Sequence, residues 1–305
     1  MKVLIIGGAT ASGKTAFAIQ CAKQFDGEIV SCDSMQIYKD LNIGTAKPTE
    51  EEMQQAVHHM INIVDAGDSY SVQQYVSSAR KIIEDICSRG KLPIVVGGTG
   101  LYIRGLLYPY SFANAPKNSE IRDKYNCILQ EKGKEYLFDL LRKVDPISCE
   151  KISINDTKKV IRALEIYETT GKPKSYDVCK NKPVYDSIFV ALNPPRESLY
   201  DRINKRVDKM FEEGLEKEIE NLLNKGKVDR TSQSMQAIGY KEFFDYFDGK
   251  KSLEEIKEVI KQNSRRYAKR QMTFFRGFEN VFWFDPQDKD LALDYISKRL
   301  SNTDK

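Results

Sequence analysis

The chain has 305 residues, 41% apolar and 30% charged, enough to bury a core and to divide into two folding units. A net charge of +4 does not by itself demand a polyanionic partner, and no stretch approaches the roughly 18 apolar residues that a bilayer crossing needs. Six scattered cysteines (Cys21, Cys32, Cys87, Cys127, Cys149, Cys179) without a C-x-x-C pair argue against a zinc knuckle or a disulfide framework, and the N-terminus lacks the regions of a signal peptide, so a reduced, cytoplasmic setting is expected.

Val3 to Ile6 reads as a buried strand, and Ala16-Phe17-Ala18-Ile19 opens a helix. Between them lies Gly8-Ala9-Thr10-Ala11-Ser12-Gly13-Lys14-Thr15, which satisfies G-x-x-x-x-G-K-[ST] in the strand-to-helix context that the motif requires. Glycine lets the backbone curl round an anion, the helix amides point at it, Lys14 adds a full charge, and Thr15 offers a hydroxyl to Mg²⁺. A triphosphate, a nucleoside diphosphate and an organic diphosphate present the same end to such a loop, so it does not name its ligand.

Further strands are expected at Glu28 to Ser31, Ile61 to Val64 and Pro93 to Val96, a rhythm that reads as a parallel sheet with helices on its faces. Asp33 follows the second strand, at the end where parallel sheets bind ligands. It is a candidate for Mg²⁺ coordination, for proton abstraction, or for a plain helix N-cap. Gly97 to Tyr102, "GGTGLY", places Thr99 among glycines that let backbone approach a ligand. His58 and His59 alternate sides in an extended segment and lack an acidic or cysteine partner nearby in sequence, so metal binding is not expected of them.

From 112 to 184 the pattern turns helical, as in Tyr136-Leu137-x-x-Leu140-Leu141 and Val160-Ile161-x-x-Leu164-x-Ile166, and reads as an insertion into a core formed by 1–111 and 185–305. Ser187 to Leu192 supplies another strand. The helix beginning at Pro195 carries an apolar stripe of Leu199, Ile203, Val207 and Met210, with Arg206 on its edge, where it can aim a guanidinium into a pocket or pair with Glu213. Phe243, Phe244, Tyr246 and Phe247 read as core. Asp248-Gly249-Lys250 breaks the helical pattern, and Val281 to Phe284 is a last strand before a final helix. "NSRRYAKRQMTFFR" sets Arg265, Arg266, Lys269, Arg270 and Arg276 among Tyr267, Phe274 and Phe275, a mixture suited to the phosphates and splayed bases of a single-stranded loop, or simply to a solvated face.

"GATASGKT", "DSMQIYKDLNIGTAKP", "HHMINIV", "GGTGLY", "NDTKKVIRALE", "SMQAIGYKE" and "RRYAKRQMTFFR" occur in the order seen in the bacterial tRNA dimethylallyltransferases, which the chain resembles over nearly its whole length. The resemblance implies a P-loop NTPase-like α/β core with a helical insertion that contacts tRNA. The activity it implies is transfer of a dimethylallyl group from dimethylallyl diphosphate to N6 of the adenosine on the 3′ side of the anticodon, in tRNAs reading codons that begin with U. It assigns the phosphate loop, residues 8–15, to the prenyl donor with Mg²⁺ on Thr15, Asp33 to proton removal, and Thr99 and Arg206 to the diphosphate. Asp33, Ser34, Met35 and Gln36, the run Lys158, Lys159, Val160, Ile161 and Arg162, and the run Gln236, Ala237, Ile238, Gly239, Tyr240 and Lys241 match family segments that contact tRNA; Arg265, Arg266, Lys269 and Arg270 are expected on the anticodon stem-loop. Ala9 replaces a common proline, Lys39 a common arginine, Lys158-Lys159 a frequent Gln-Arg pair and Phe274 a frequent tryptophan; lysine cannot reproduce a bidentate arginine contact. A monomer without membrane contact is expected. A small-molecule kinase, with Arg122 and Arg142 clamping a phosphoryl group, a prenyltransferase on free adenine nucleotides, and a nucleotide-driven binding module are the competing readings.

Overall fold

Short apolar runs alternating with amphipathic ones build a six-stranded sheet with helices packed against it. A computed structural model of the chain describes residues 1–108, 118–177 and 183–302. Two units are distinguished, Met1–Leu107 with Tyr185–Lys305, and Tyr108–Val184. The boundary expected at 111–112 and Cys179 lie outside the described residues.

The first unit runs β1 (Lys2–Gly8), α1 (Lys14–Gln24), β2 (Gly27–Ser31), α2 (Glu50–Gln55), β3 (His58–His59), α3 (Val72–Ser88), β4 (Leu92–Gly97) and α4 (Gly100–Leu107). In the second unit lie α5 (Ser119–Val144), α6 (Pro146–Cys149) and α7 (Thr157–Thr170). The chain then returns through β5 (Asp186–Leu192), α8 (Arg196–Glu212), α9 (Leu215–Asn224), α10 (Phe243–Phe247), α11 (Leu253–Phe275), β6 (Val281–Phe284) and α12 (Lys289–Ser301). Strand order is β3-β2-β4-β1-β5-β6, every pairing parallel.

A strand with neighbours on both sides and helices on both faces must be apolar throughout, and Val3 to Ile6 of β1 are fully buried. The register sets Gly7 beside Gly97, Gly8 beside Leu192 and Ser31 beside Val96. The loops leaving β1, β2 and β4 therefore emerge along one edge of the sheet, where ligands bind in open α/β folds.

One expected strand is displaced. Residues 61–64 do not join the sheet as a strand; His58 and His59 pair with Ile29 and Val30 instead, and Val64 makes only an isolated bridge to Tyr38. Met60 and Asn62 have φ of 63° and 56°, which turns the chain out of the extended conformation.

Glu28 on β2 is 3% exposed and receives the Arg89 guanidinium and His59 Nε2 at 2.8 Å. The Arg89 hydrogen bonds, aided by His59 and opposed by burial, hold its carboxyl down to about 2. A depressed folded-state value means that the contribution is present above the unfolded carboxylate's value and is lost as pH falls towards 2. Glu28→Gln is therefore expected to cost about 3 kcal/mol in urea unfolding at pH 7, with wild type and variant converging near the lower limit of that window.

In the second unit, α5 is interrupted at Gly133 (φ 79°, ψ 173°), and Leu137, Leu141, Val160, Ala163 and Leu164 form its core. Glu165 is fully buried there and takes Arg122 Nη2 at 2.9 Å, Arg162 Nη1 at 2.7 Å and the Asn118 amide at 2.8 Å. No helix among the described residues is long and apolar enough to cross a membrane.

Candidate active site

The phosphate loop begins where β1 ends. Ala9 is buried against Leu199, Ile203 and Ala268, fixing the loop on the core. Ala11 (φ 59°) and Gly13 (φ 98°) are left-handed, and together they turn the backbone amides inward. Gly13 caps α1 without any side-chain hydrogen bond, so the first-turn amides remain for an anion. Ser12 Oγ is buried with no hydrogen-bond partner, an orphaned hydroxyl inside a loop shaped for oxygen ligands.

Lys14 is half-buried, with Nζ donating to Ala9 O at 2.6 Å. Burial and then the positive charge of Arg206 pull its ammonium down to about 8, against the pull of Asp33. Arg206 is likewise held below its ordinary value by burial, opposed by Asp33, and its Nη2 donates to Thr45 O at 3.2 Å. Two cations desolvated side by side are costly unless an anion comes between them. The alternative surface pairing of Arg206 is not formed, because Glu213 meets Lys209 at 3.4 Å.

Asp33 Oδ1 accepts from the Met35 amide at 2.9 Å and, more weakly, from the Gln36 amide at 3.4 Å. No helix follows Asp33, so the N-cap expectation is corrected to a turn closed on one oxygen, while the residue also lines a cavity of about 380 Å³ shared with Lys14, Thr15 and Arg206. Thr10, Ser34, Met35 and Gln36 line the same cavity, as do Gln236 to Gly239, Lys241 and Arg270. His58 lines it as well, donating from Nδ1 to Ala56 O.

Thr99 Oγ1 accepts from the Ser34 amide at 3.0 Å and lies 3.4 Å from Ser34 Oγ, so in this structure it braces the aspartate loop. Behind that loop, Glu218 of α9 accepts from the amides of Asn42, Ile43 and Gly44 and from Tyr240 Oη at 2.6 Å. Gln36 Nε2 donates to Thr45 O and Ala46 O, which ties the turn after Asp33 to the backbone that Arg206 also holds.

Several expected RNA contacts require correction. Tyr240 is fully buried with its hydroxyl on Glu218, so it positions the surrounding backbone and presents no side chain for a base, whereas Ala237, although buried, lines the cavity. Val160 and Ile161 belong to the core of the second unit because the helical stripe they share faces inward. Of that run Lys158 and Lys159 are exposed, Lys159 Nζ lying on Asp156 at 2.6 Å, while Arg162 is half-buried on Glu165. Arg265 donates to Asn204 Oδ1 at 2.6 Å and so locks α11 to α8, whereas Arg266, Lys269 and Arg270 are exposed. Phe275 is core, edge-on to Phe189, and Phe274 packs half-buried under the Arg104 guanidinium.

Sequence reading missed Gln271, whose carboxamide joins the Thr10 amide to Gly98 O, and Glu218; neither bond has a local sequence signal. No group of three or more His, Cys, Asp or Glu side chains able to hold a metal occurs among the described residues.

The family profile described as IPP transferase matches residues 36–278, and one described as isopentenyl transferase matches residues 1–65. The chain belongs to the IPP transferase family. Among its relatives, the tRNA dimethylallyltransferase of Acetivibrio thermocellus is 49% identical over 94% of this chain and 93% of its own. The crystal structure of the tRNA isopentenylpyrophosphate transferase from Bacillus halodurans matches with a TM-score of 0.74 at 41% identity, covering 98% of this chain and 96% of that one. A eukaryotic dimethylallyltransferase, captured in crystallographic snapshots acting on tRNA, matches with a TM-score of 0.81 at 32% identity, over 98% and 80%. The shared architecture is the P-loop NTPase-like parallel sheet described above.

Proposed function

We propose that this protein transfers the dimethylallyl group of dimethylallyl diphosphate to N6 of an adenosine in tRNA and releases diphosphate. The observation that carries the reading is the convergence of two desolvated cations and one carboxylate, Lys14, Arg206 and Asp33, on one cavity at a phosphate loop. The names of the relatives supply the substrate class.

The bond between the allylic carbon and the diphosphate oxygen breaks, its electron pair leaving with diphosphate, as the N6 lone pair forms the new bond to carbon. Negative charge grows on the leaving group, where the loop amides, Lys14 and Arg206 stabilise it more than in the ground state. The N6 proton passes to the Asp33 carboxylate. Thr99 holds the aspartate loop and, once that contact is exchanged, donates to the leaving group. Mg²⁺ fits a site with a free-standing hydroxyl, Thr15, at the head of α1 next to the orphaned Ser12 Oγ: Thr15 and the donor's own oxygens would hold it, and it supplies further neutralisation of the diphosphate. The acceptor is the adenosine 3′ to the anticodon in tRNAs reading codons that begin with U; a loop base leaves its stack at lower cost than a duplex one. Arg266, Lys269 and Arg270 on α11, and Lys158 and Lys159 on α7, take the stem-loop phosphates.

A kinase clamp built from Arg122 is disfavoured by its engagement with the buried Glu165. Incubation with Mg²⁺, labelled dimethylallyl diphosphate and either tRNA, AMP or ATP tests the proposal. Label is expected in tRNA alone; label in AMP alone, or phosphate transfer from ATP without prenylation, overturns it.

A further inference from the structure

Gln271 lies on α11, the helix whose outer side carries Arg266 and Lys269. It is 5% exposed, and its carboxamide spans two loops far away in sequence. Oε1 accepts from the Thr10 amide of the phosphate loop at 2.8 Å, and Nε2 donates to Gly98 O after β4 at 3.0 Å. The two partners dictate the residue type. An amide N–H only donates and a carbonyl only accepts, so the bridging group needs one acceptor and one donor at fixed spacing, which glutamate, lysine and methionine each fail to provide. Gly98 is shaped to the same contact: a Cβ there would lie 2.1 Å from Gln271 Nε2. One turn earlier on the same face, Tyr267 lines the cavity. Arg270, beside it, lines the cavity from the exposed side.

Resting on the function proposed above, we infer that Gln271 is a positioning residue that couples occupancy of the RNA-facing helix to the shape of the diphosphate cradle. Any displacement of α11 by an anticodon stem-loop moves the carboxamide, and with it the Thr10 amide and the Gly98 backbone. The donor site is therefore tightened by the acceptor, and by linkage the acceptor by the donor. Gln271 also lines the cavity, but both polar ends of its carboxamide are engaged by Thr10 and Gly98, so it acts through those loops.

The test uses the full chain and two variants, Gln271→Met, which keeps the volume and removes both bonds, and Gly98→Ala, which displaces the carboxamide while residue 271 stays glutamine. Calorimetry with inorganic diphosphate and Mg²⁺, with and without a saturating anticodon hairpin, reads the coupling. Wild type is expected to bind diphosphate about tenfold tighter with the hairpin present, and both variants to lose most of that ratio. In prenyl transfer the variants are expected to raise the donor KM about tenfold or more, while the hairpin Kd without donor changes less than about threefold. A purely structural role would lower Tm and leave the hairpin-to-diphosphate ratio and the donor KM of the folded fraction at wild-type values; that result overturns the inference, as does a wild type with no coupling. Because the diphosphate measurement needs no turnover, a wild type that fails to prenylate tRNA would count against the function and leave the coupling test standing.

Discussion

Asp33→Asn is expected to lower kcat by about 10²- to 10⁴-fold, the span that general-base catalysis contributes, while hairpin binding stays at the wild-type level. The local hydrogen bonds explain why this substitution isolates the proton transfer. The turn after β2 uses Asp33 Oδ1 alone, as acceptor from the Met35 and Gln36 amides, and an asparagine Oδ1 accepts the same two. The loop and the Thr99 brace on Ser34 are retained, so the substitution removes basicity and a negative charge without moving the backbone. Loss of that charge also removes the one influence that holds Lys14 and Arg206 up towards their ordinary values, so Lys14 falls further below about 8. At pH 6, well below the Lys14 value, the donor KM should be unchanged or slightly lower, because a carboxylate no longer repels diphosphate. A fall in kcat without a rise in KM is the signature of an interaction made only in the transition state. Single-turnover prenylation of the hairpin, measured beside its Kd, separates the two. A rate within about threefold of wild type would remove Asp33 from the chemistry.

The parts legible in the sequence are those written in local pattern. Strands β1, β2, β4, β5 and β6 follow from apolar runs closed by Gly, Pro or Asp, and the phosphate loop from four spaced residues, Gly8, Gly13, Lys14 and Thr15, between a strand and a helix. The stripe on α8 places Arg206 correctly because the helical period is fixed. What failed was decided elsewhere in the chain. His58 and His59 are preferred over residues 61–64 for the sheet edge because Met60 and Asn62 adopt left-handed φ, a conformation asparagine tolerates but methionine does not announce. Tyr240 in a polar motif reads equally well as a base contact or as a hydroxyl for a half-buried carboxylate; only Glu218, on another helix, decides between them. Gln271 lies inside a run read for its charges, yet its partners are Thr10 and Gly98. Segment-level resemblance locates such residues without separating those that touch the ligand from those that hold the loops.

Arg206→Gln is expected to lower kcat/KM for the donor by about 10²- to 10³-fold, the cost of removing one preorganised charge from a developing anion. The loop beyond Asp33 should survive the change, since Gln36 Nε2 still donates to Thr45 O when Arg206 Nη2 is gone. A second, independent consequence follows from Lys14. Its ammonium is pulled down to about 8, first by burial and then by Arg206. In wild type the donor KM is therefore flat below pH 8 and rises above it, because a neutral Lys14 must regain its proton to hold diphosphate. Removing the Arg206 charge takes away the second cause and leaves the first, so the inflection moves to higher pH while remaining below the ordinary lysine range. Affinity at neutral pH thus falls while the alkaline limb shifts outward, and a generally damaged pocket has no reason to produce that combination. A variant whose KM rises uniformly, with the inflection unmoved, would place Arg206 outside the electrostatic reach of Lys14 and leave its guanidinium a structural clasp on Thr45.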